Sequence, residues 1–111
     1  MSQHASLSPE AQISSGLRTI DCSIRNFTEI AVSMGIQVSH VLISTCLNGT
    51  REFNSSTGAG LLSLMNQLLA LRSYYKDFPI SWAAHEQVAT LLVRRIAEEA
   101  ILDVDAAAAK G

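Results

Sequence analysis

Hydrophobic residues recur every three or four positions along most of the chain, which is the spacing of a helix rather than of a strand. Ile13, Leu17, Ile20 and Ile24 follow one another at intervals of four, three and four, so they share one helical face. The helix that carries them is predicted to begin at Ser8-Pro9-Glu10. The Ser8 hydroxyl can cap the helix, and Pro9 is favoured in the first turn. The Glu10 carboxylate interacts favourably with the positive end of the helix dipole.

A second helix is expected after Asn26-Phe27-Thr28, which we interpret as a break whose threonine caps the next segment. Its apolar positions are Ile30, Val32 and Ile36. Residues 35–43 are rich in β-branched side chains. A strand there is therefore the main alternative to a helix.

The third and fourth helices are delimited by polar and glycine-containing segments. A short helix is predicted over Ser39–Leu47, ended by Asn48-Gly49, since both residues tolerate left-handed backbone. Ser56 or Thr57 is expected to cap a long helix that runs to about Tyr75. Its apolar residues cover more than one face, which predicts burial against several neighbours: Leu61, Leu64, Met65, Leu68, Leu69 and Leu71.

The last helix is predicted after Phe78-Pro79-Ile80, because proline constrains the residue before it. Ser81 is expected to cap this helix, which spans 81–103 and leaves 104–111 as a frayed tail. Its apolar side consists of Val88, Leu91, Leu92, Ile96 and Ile101.

These elements predict an all-α fold, a compact bundle of about five helices in one domain over 1–111. The composition agrees with this, because 48% of the 111 residues are hydrophobic and the chain is short. Only 16% are charged and the net charge is −2, against roughly 25% charged residues in typical soluble domains. That balance excludes a disordered polyelectrolyte, and it argues against a protein that binds nucleic acid by bulk positive charge.

The scarcity of charge is greatest in the middle of the chain. Between Glu29 and Arg72 the only charged residues are Arg51 and Glu52. Polar residues interrupt this stretch too often for a transmembrane helix, and the first ten residues do not resemble a signal peptide. A cytoplasmic protein with reduced core cysteines is therefore expected.

Catalytic and metal-binding chemistry has little support in the sequence. His4, His40 and His85 are scattered, and neither Cys22 nor Cys46 has metal-ligand spacing to a histidine or to the other cysteine. Gly58-Ala59-Gly60 lacks the lysine of a phosphate loop. We therefore expect no enzyme, no cofactor, no metal and no small-molecule substrate.

The informative segment is 29–52, interpreted as two short helices joined by a tight turn at Gln37-Val38. The first helix is expected to bury Val32 and Ile36. The second is expected to bury Leu42, Ile43, Cys46 and Leu47. An uncharged outer face remains, which is unusual for simple solvent contact: His40, Val41, Ser44, Thr45 and Asn48.

This segment resembles the helix-turn-helix of the lambda-repressor-like (Cro/Xre-type) DNA-binding family, whose frame is Gln-x-x-Leu-Ala-x-x-Leu-Gly-Val-Ser-x-x-x-Val-Ser-x-x-Leu-Asn-Gly. The preferred alignment places Glu29 at the glutamine, Gln37 at the turn glycine and Leu47-Asn48-Gly49 at the end. An alternative register instead matches Ala31 and Gly35 to the alanine and glycine, and leaves two extra residues before Asn48-Gly49.

The resemblance implies a transcriptional regulator that binds a double-stranded DNA operator, of the phage or prophage repressor type. The helix 39–47 would enter the major groove. The implied DNA-binding residues are Gln37, Ser39, His40, Val41, Ser44, Thr45, Asn48, Thr50 and Arg51.

Such modules bind as dimers, which makes the last helix the candidate for pairing. The implied interface residues are Trp82, Val88, Leu91, Leu92 and Ile96, although the same residues suit an intramolecular core equally well. A protein-interaction module on the same fold is the rival function, either antitoxin-like or an inhibitor of a host protein. Glu29, Gln37 and the acidic C-terminal part favour that rival.

Overall fold

The structure of the protein, a computed structural model, describes the backbone of residues 8–110 and the side chains of residues 8–99. Within that part the chain is all-α and contains no strand, so residues 35–43 are not a strand. The helices are α1 (Pro9–Ile20), α2 (Ile24–Ser33), α3 (His40–Leu47), α4 (Ser55–Tyr74) and α5 (His85–Lys110). None of them is long and apolar enough to cross a bilayer within the described residues.

Two of the predicted helix starts are confirmed by their hydrogen bonds. Ser8 Oγ accepts from the Ala11 amide over 3.1 Å, and Ser39 Oγ accepts from the Leu42 amide over 3.1 Å. The start of α4 differs from the prediction. Asn54, not Ser56 or Thr57, is the cap, because its Oδ1 accepts from the Thr57 amide over 2.8 Å.

The break between α1 and α2 lies earlier than the prediction placed it. Helix α1 ends at Ile20, and Asp21 turns the chain with left-handed backbone (φ 54°). Ser23 then caps α2 by accepting from the Asn26 amide over 3.1 Å. Asn26-Phe27-Thr28 is therefore part of the helix, and burial of the Phe27 ring outweighs the weak turn signal around it.

The core lies where α1 packs along α4 and where α2 and α5 close over them. Gly16 of α1 faces Met65 of α4 so closely that a Cβ on Gly16 would lie 2.6 Å from Met65 Cγ. The predicted stripe along α4 is buried at most of its positions. The buried apolar residues come from all five helices, from the corner between α1 and α2 and from the segment before α5: Ile13, Leu17, Ile20, Cys22, Phe27, Ile30, Ala31, Ile43, Cys46, Leu61, Leu64, Met65, Leu68, Leu71, Trp82, Val88 and Leu92.

Helix α5 begins later and runs further than the sequence predicted. Residues 81–84 form a turn, in which the Ser81 carbonyl accepts from the Ala84 amide over 3.1 Å, so Ser81 does not cap the helix. The helix continues to Lys110, through most of the predicted tail 104–111. His4 and the side chain of Ile101 lie outside the described residues.

Most of the residues predicted for a dimer interface belong to the core of the single chain. Trp82 is 7% exposed, and Val88 and Leu92 are each 1% exposed. They are therefore not accessible to a partner, which corrects that part of the prediction. Leu91 is half-buried, and Ile96 is 43% exposed.

Candidate nucleic-acid interface

The turn between α2 and α3 is built around Gly35 rather than around Gln37-Val38. Gly35 has φ +88°, its amide donates to the Val32 carbonyl, and the Ile36 amide donates to the Ala31 carbonyl, each over 3.0 Å. These two bonds form a Schellman motif, the helix ending in which glycine is favoured at the left-handed position. The predicted turn at Gln37-Val38 was therefore two residues too late.

Burial along α2 supports the same correction. Val32, predicted to be buried, is 51% exposed, whereas Ile30 and Ala31 are 0% exposed. Ile36 is partly buried and packs against the core, as predicted. The backbone therefore agrees with the alternative register, in which Ala31 and Gly35 match the alanine and the turn glycine of the frame. The two extra residues of that register lie between Gly35 and the cap of α3.

Helix α3 ends with a second turn of the same kind. Gly49 has φ +89°, and its amide donates to the Cys46 carbonyl over 3.2 Å. The Thr50 amide donates to the Thr45 carbonyl over 3.2 Å and to Asn48 Oδ1 over 2.9 Å. The Asn48 oxygen is therefore engaged, and its NH₂ group retains the donor capacity that a ligand can use.

The inner and outer faces of α3 are close to those predicted. Ile43 and Cys46 are buried, while Leu42 and Leu47 are half-buried. Seven of the predicted DNA-binding residues are exposed, namely Gln37, Ser39, His40, Val41, Asn48, Thr50 and Arg51. Val41 stands out at 73% exposed. Ser44 and Thr45 are half-buried.

The structure brings Ser44 and Asn48 together with residues of α1 that the sequence did not single out. A groove of about 460 Å³ separates α3 from the corner between α1 and α2, and Arg18, Asp21 and Ser23 line its other wall. Arg18 is exposed in the last turn of α1. Its place beside α3 depends on tertiary packing, because Ser44 lies 26 positions further along the chain.

The loop that follows α3 is attached to α1. Glu10 Oε2 accepts from the Phe53 amide over 2.9 Å, so this acid anchors the loop as well as lying in the first turn of its helix. Arg51 is exposed on that loop. Glu52 and Asp77 are acids that could pair with Arg51. Across the residues whose side chains are described, however, the ion pair found is Arg95–Glu99, so Arg51 pairs with neither of them.

The two cysteines are free and buried, as the sequence predicted. Burial, and then the nearby Asp21 carboxylate, raises the pKa of the Cys22 thiol to about 11. Burial also raises the pKa of the Cys46 thiol on the inner face of α3, with Arg51 opposing this effect. Within the described part of the chain, no three His, Cys, Asp or Glu side chains are grouped as a metal site.

The outer face of α3 therefore presents one exposed aliphatic side chain among uncharged hydrogen-bonding groups. Every side chain in α3 is uncharged or a histidine, and the exposed Arg51 follows the helix. Such a face can accept and donate hydrogen bonds and can contact apolar groups, without a strong electrostatic preference. Comparisons of the chain with protein-family models, with curated sequences and with solved structures find no match.

Proposed function

We propose that this protein binds double-stranded DNA sequence-specifically through α3 and acts as a transcriptional regulator of the phage or prophage repressor type. The observation that carries the proposal is the uncharged, partly apolar outer face of α3, on which Val41 in the first turn is 73% exposed. A helix such as α3 is about 10–12 Å in diameter with its side chains. The major groove, roughly 12 Å wide, accommodates a helix of that diameter.

The side chains of this face have the chemistry that base reading requires. Val41 suits contact with a thymine methyl group, and His40, Thr45 and the Asn48 amide can hydrogen-bond to base edges. Ser39 has a different role, because its hydroxyl caps α3 by accepting from the Leu42 amide over 3.1 Å. Gln37 and Thr50 flank the helix and are exposed, so they suit contacts with the backbone of the duplex.

Phosphate contacts are assigned to the exposed cations beside α3. Arg51 follows the helix on the anchored loop, and Arg18 faces the groove next to Asn48. Two cations release few counterions, so the affinity should fall only slowly with salt. Specificity then depends on neutral hydrogen bonds and shape.

The proposal includes binding as a homodimer. In helix-turn-helix proteins two copies read half-sites that lie roughly 34–36 Å apart, one turn of the duplex. Two weak half-site interactions then combine, which compensates for the small number of cations.

A protein-interaction module that uses the same face is the second candidate. An exposed apolar side chain such as Val41 suits a protein partner, and Glu29 on α2 is exposed where phosphate would repel it. In this case α3 would bind a groove of a host or toxin protein instead of the duplex.

A selection from random duplexes at low and moderate salt distinguishes the two candidates. Regulator function predicts enrichment of one sequence at both salt concentrations. Val41→Ala and Thr45→Ala should alter the enriched bases. Arg51→Ala should weaken binding to all duplexes, and the slope of log binding constant against log salt concentration should decrease in magnitude by about one. Ser73→Ala, at an exposed position of α4, serves as the control. The absence of sequence-selective binding at both salt concentrations would reject the proposal that the protein is a regulator.

A further inference from the structure

The groove between α3 and the corner of α1 and α2 is lined by two opposite charges that do not pair with each other. Arg18 lies in the last turn of α1, and Asp21 is the residue that ends this helix. Both side chains are exposed, and both line the groove of about 460 Å³. Across the described side chains, neither forms an ion pair or a side-chain hydrogen bond. Each charge is therefore available to a bound molecule.

The backbone explains why these neighbours in sequence do not pair. Residues three positions apart on a continuous helix have adjacent side chains. Asp21 instead has left-handed backbone (φ 54°), so its side chain leaves the direction that the helix would give it. The two charges therefore remain separate on one wall of the groove.

The rest of the groove combines buried apolar side chains with hydrogen-bonding groups of α3. Leu17 and Cys22 line it and are 6% and 7% exposed. Ser44 and Asn48 line it from α3, and the Asn48 NH₂ group retains donor capacity. Clefts of roughly 300–1,000 Å³ that join apolar side chains to a few polar groups are typical small-molecule sites.

We propose that this groove binds a free α-amino acid with an apolar side chain. The Arg18 guanidinium donates to the ligand carboxylate through charge-assisted hydrogen bonds, which are often bidentate for arginine. The ligand ammonium group donates to the Asp21 carboxylate, and the ligand side chain packs on Leu17 and Cys22. A zwitterion engages both charges at once, whereas a simple anion or cation leaves one of them unpaired.

The inference goes beyond the proposed function, because the groove can bind an amino acid whether or not the protein binds DNA. It adds a form of regulation to that function. Arg18 is assigned to a phosphate contact, and a ligand carboxylate on its guanidinium excludes that contact. This consequence alone rests on the proposed function.

An NMR titration of the intact chain with L-leucine, without DNA, tests the site. Leucine should give saturable chemical-shift changes at residues of the groove, with a Kd in the millimolar range or below. N-acetyl-leucine lacks the ammonium group and leucinamide lacks the carboxylate. Each analogue should bind about tenfold or more weakly, because hydrogen bonds to charged groups are the strong ones.

Four variants assign the binding to the two charges. Arg18→Gln and Asp21→Asn should each raise the leucine Kd about tenfold or more. Asparagine tolerates left-handed backbone, so Asp21→Asn preserves the corner. Arg25→Gln and Glu29→Gln make the same charge changes at exposed positions of α2 outside the groove, and they should leave the Kd unchanged. Circular dichroism of each variant checks that the helices persist.

Three outcomes overturn the proposal. The first is the absence of saturable shift changes up to the solubility limit of leucine. The second is an analogue that binds as tightly as leucine. The third is a folded Arg18→Gln or Asp21→Asn variant whose Kd equals that of its matched control.

The consequence for DNA has its own measurement. Leucine should release the selected duplex from the wild type as the groove fills, and it should not release the duplex from Asp21→Asn. A duplex affinity that does not respond to leucine would reject the shared use of Arg18. A chain that binds leucine and selects no duplex would reject the proposed function and leave the amino-acid site in place.

Discussion

The indole Nε1 of Trp82 donates a hydrogen bond to the backbone carbonyl of Ile20 over 2.8 Å, in the interior of the protein. Ile20 is the last residue of α1, so its carbonyl has no partner within its own helix. Trp82 supplies that partner from the segment that leads into α5. The C-terminal helix is thereby attached to the corner from which α2 departs, and it helps to position α2 and α3.

Trp82→Phe removes the donor and should destabilise the protein. The Ile20 carbonyl would remain buried without a partner, which costs about 1–3 kcal/mol. Urea unfolding followed by circular dichroism measures the change. Ala83→Ser, at the exposed neighbouring position, should stay within about 0.5 kcal/mol of the wild type. Equal stability of the two variants would show that the bond contributes nothing.

Two glycine-to-alanine substitutions should change the stability of the protein in opposite directions. At Gly16 an added Cβ would lie 2.6 Å from Met65 Cγ, and Met65 is 1% exposed and has little room to move. Gly16→Ala should therefore cost about 1–3 kcal/mol through overpacking.

At Gly60 the nearest atom to an added Cβ is Ile36 Cδ1, at 4.0 Å. Gly60→Ala, inside α4, should stabilise the protein by about 0.5–1 kcal/mol because alanine favours the helix. Thermal unfolding of both variants gives the comparison. A stabilising Gly16→Ala would contradict the close approach of α1 to α4.

The position of the turn between α2 and α3 can be tested at Gly35 and Gln37. Gly35 has φ +88°, so Gly35→Ala should destabilise the protein by about 1 kcal/mol even though nothing lies within 4 Å of an added Cβ. Among the described residues the non-glycine residue with positive φ is Asp21, so Gln37 is unstrained. Gln37→Gly should therefore bring no gain in stability, and a gain would place the left-handed residue at 37.

The buried cysteines predict a loss of stability at alkaline pH. The pKa of Cys22 is about 11 in the folded protein, above its ordinary value of 9.0. The unfolded chain thus releases the thiol proton first, and the free energy of unfolding should fall as pH rises from about 9 towards 11. Urea titrations across this range measure the slope, and a Cys22→Ala variant should show a smaller one.

Much of the local structure was predictable because it depends on neighbours in sequence. Ser8 was identified as a cap and Ser39 as a helix start from their positions alone, and Ile13, Leu17 and Ile20 form the buried face that their spacing indicates. The outer face of α3 was also predicted largely correctly. A short helix has few possible inner faces once its apolar residues are placed.

The elements that were misplaced depend on contacts between distant residues. Phe27 was assigned to a break because its neighbours favour turns, yet its ring is fully buried inside α2. Val32 and Ile30 are both apolar and two positions apart, so the pattern did not decide which of them faces inward. Packing against the other helices did, because Ile30 is 0% exposed within the core and Val32 is 51% exposed.

The sequence by itself determined the all-α class, the number of helices, the starts of α1 and α3 and the uncharged character of α3, because periodicity and capping act over a few residues. The tertiary structure decided which side chains are available for function. It buried Trp82, Val88 and Leu92 in the core and brought Arg18 beside α3. It also left an open groove between α4 and α5 whose α4 wall carries no charged side chain. Burial is a property of the assembled helices, since an apolar side chain remains accessible until another element covers it.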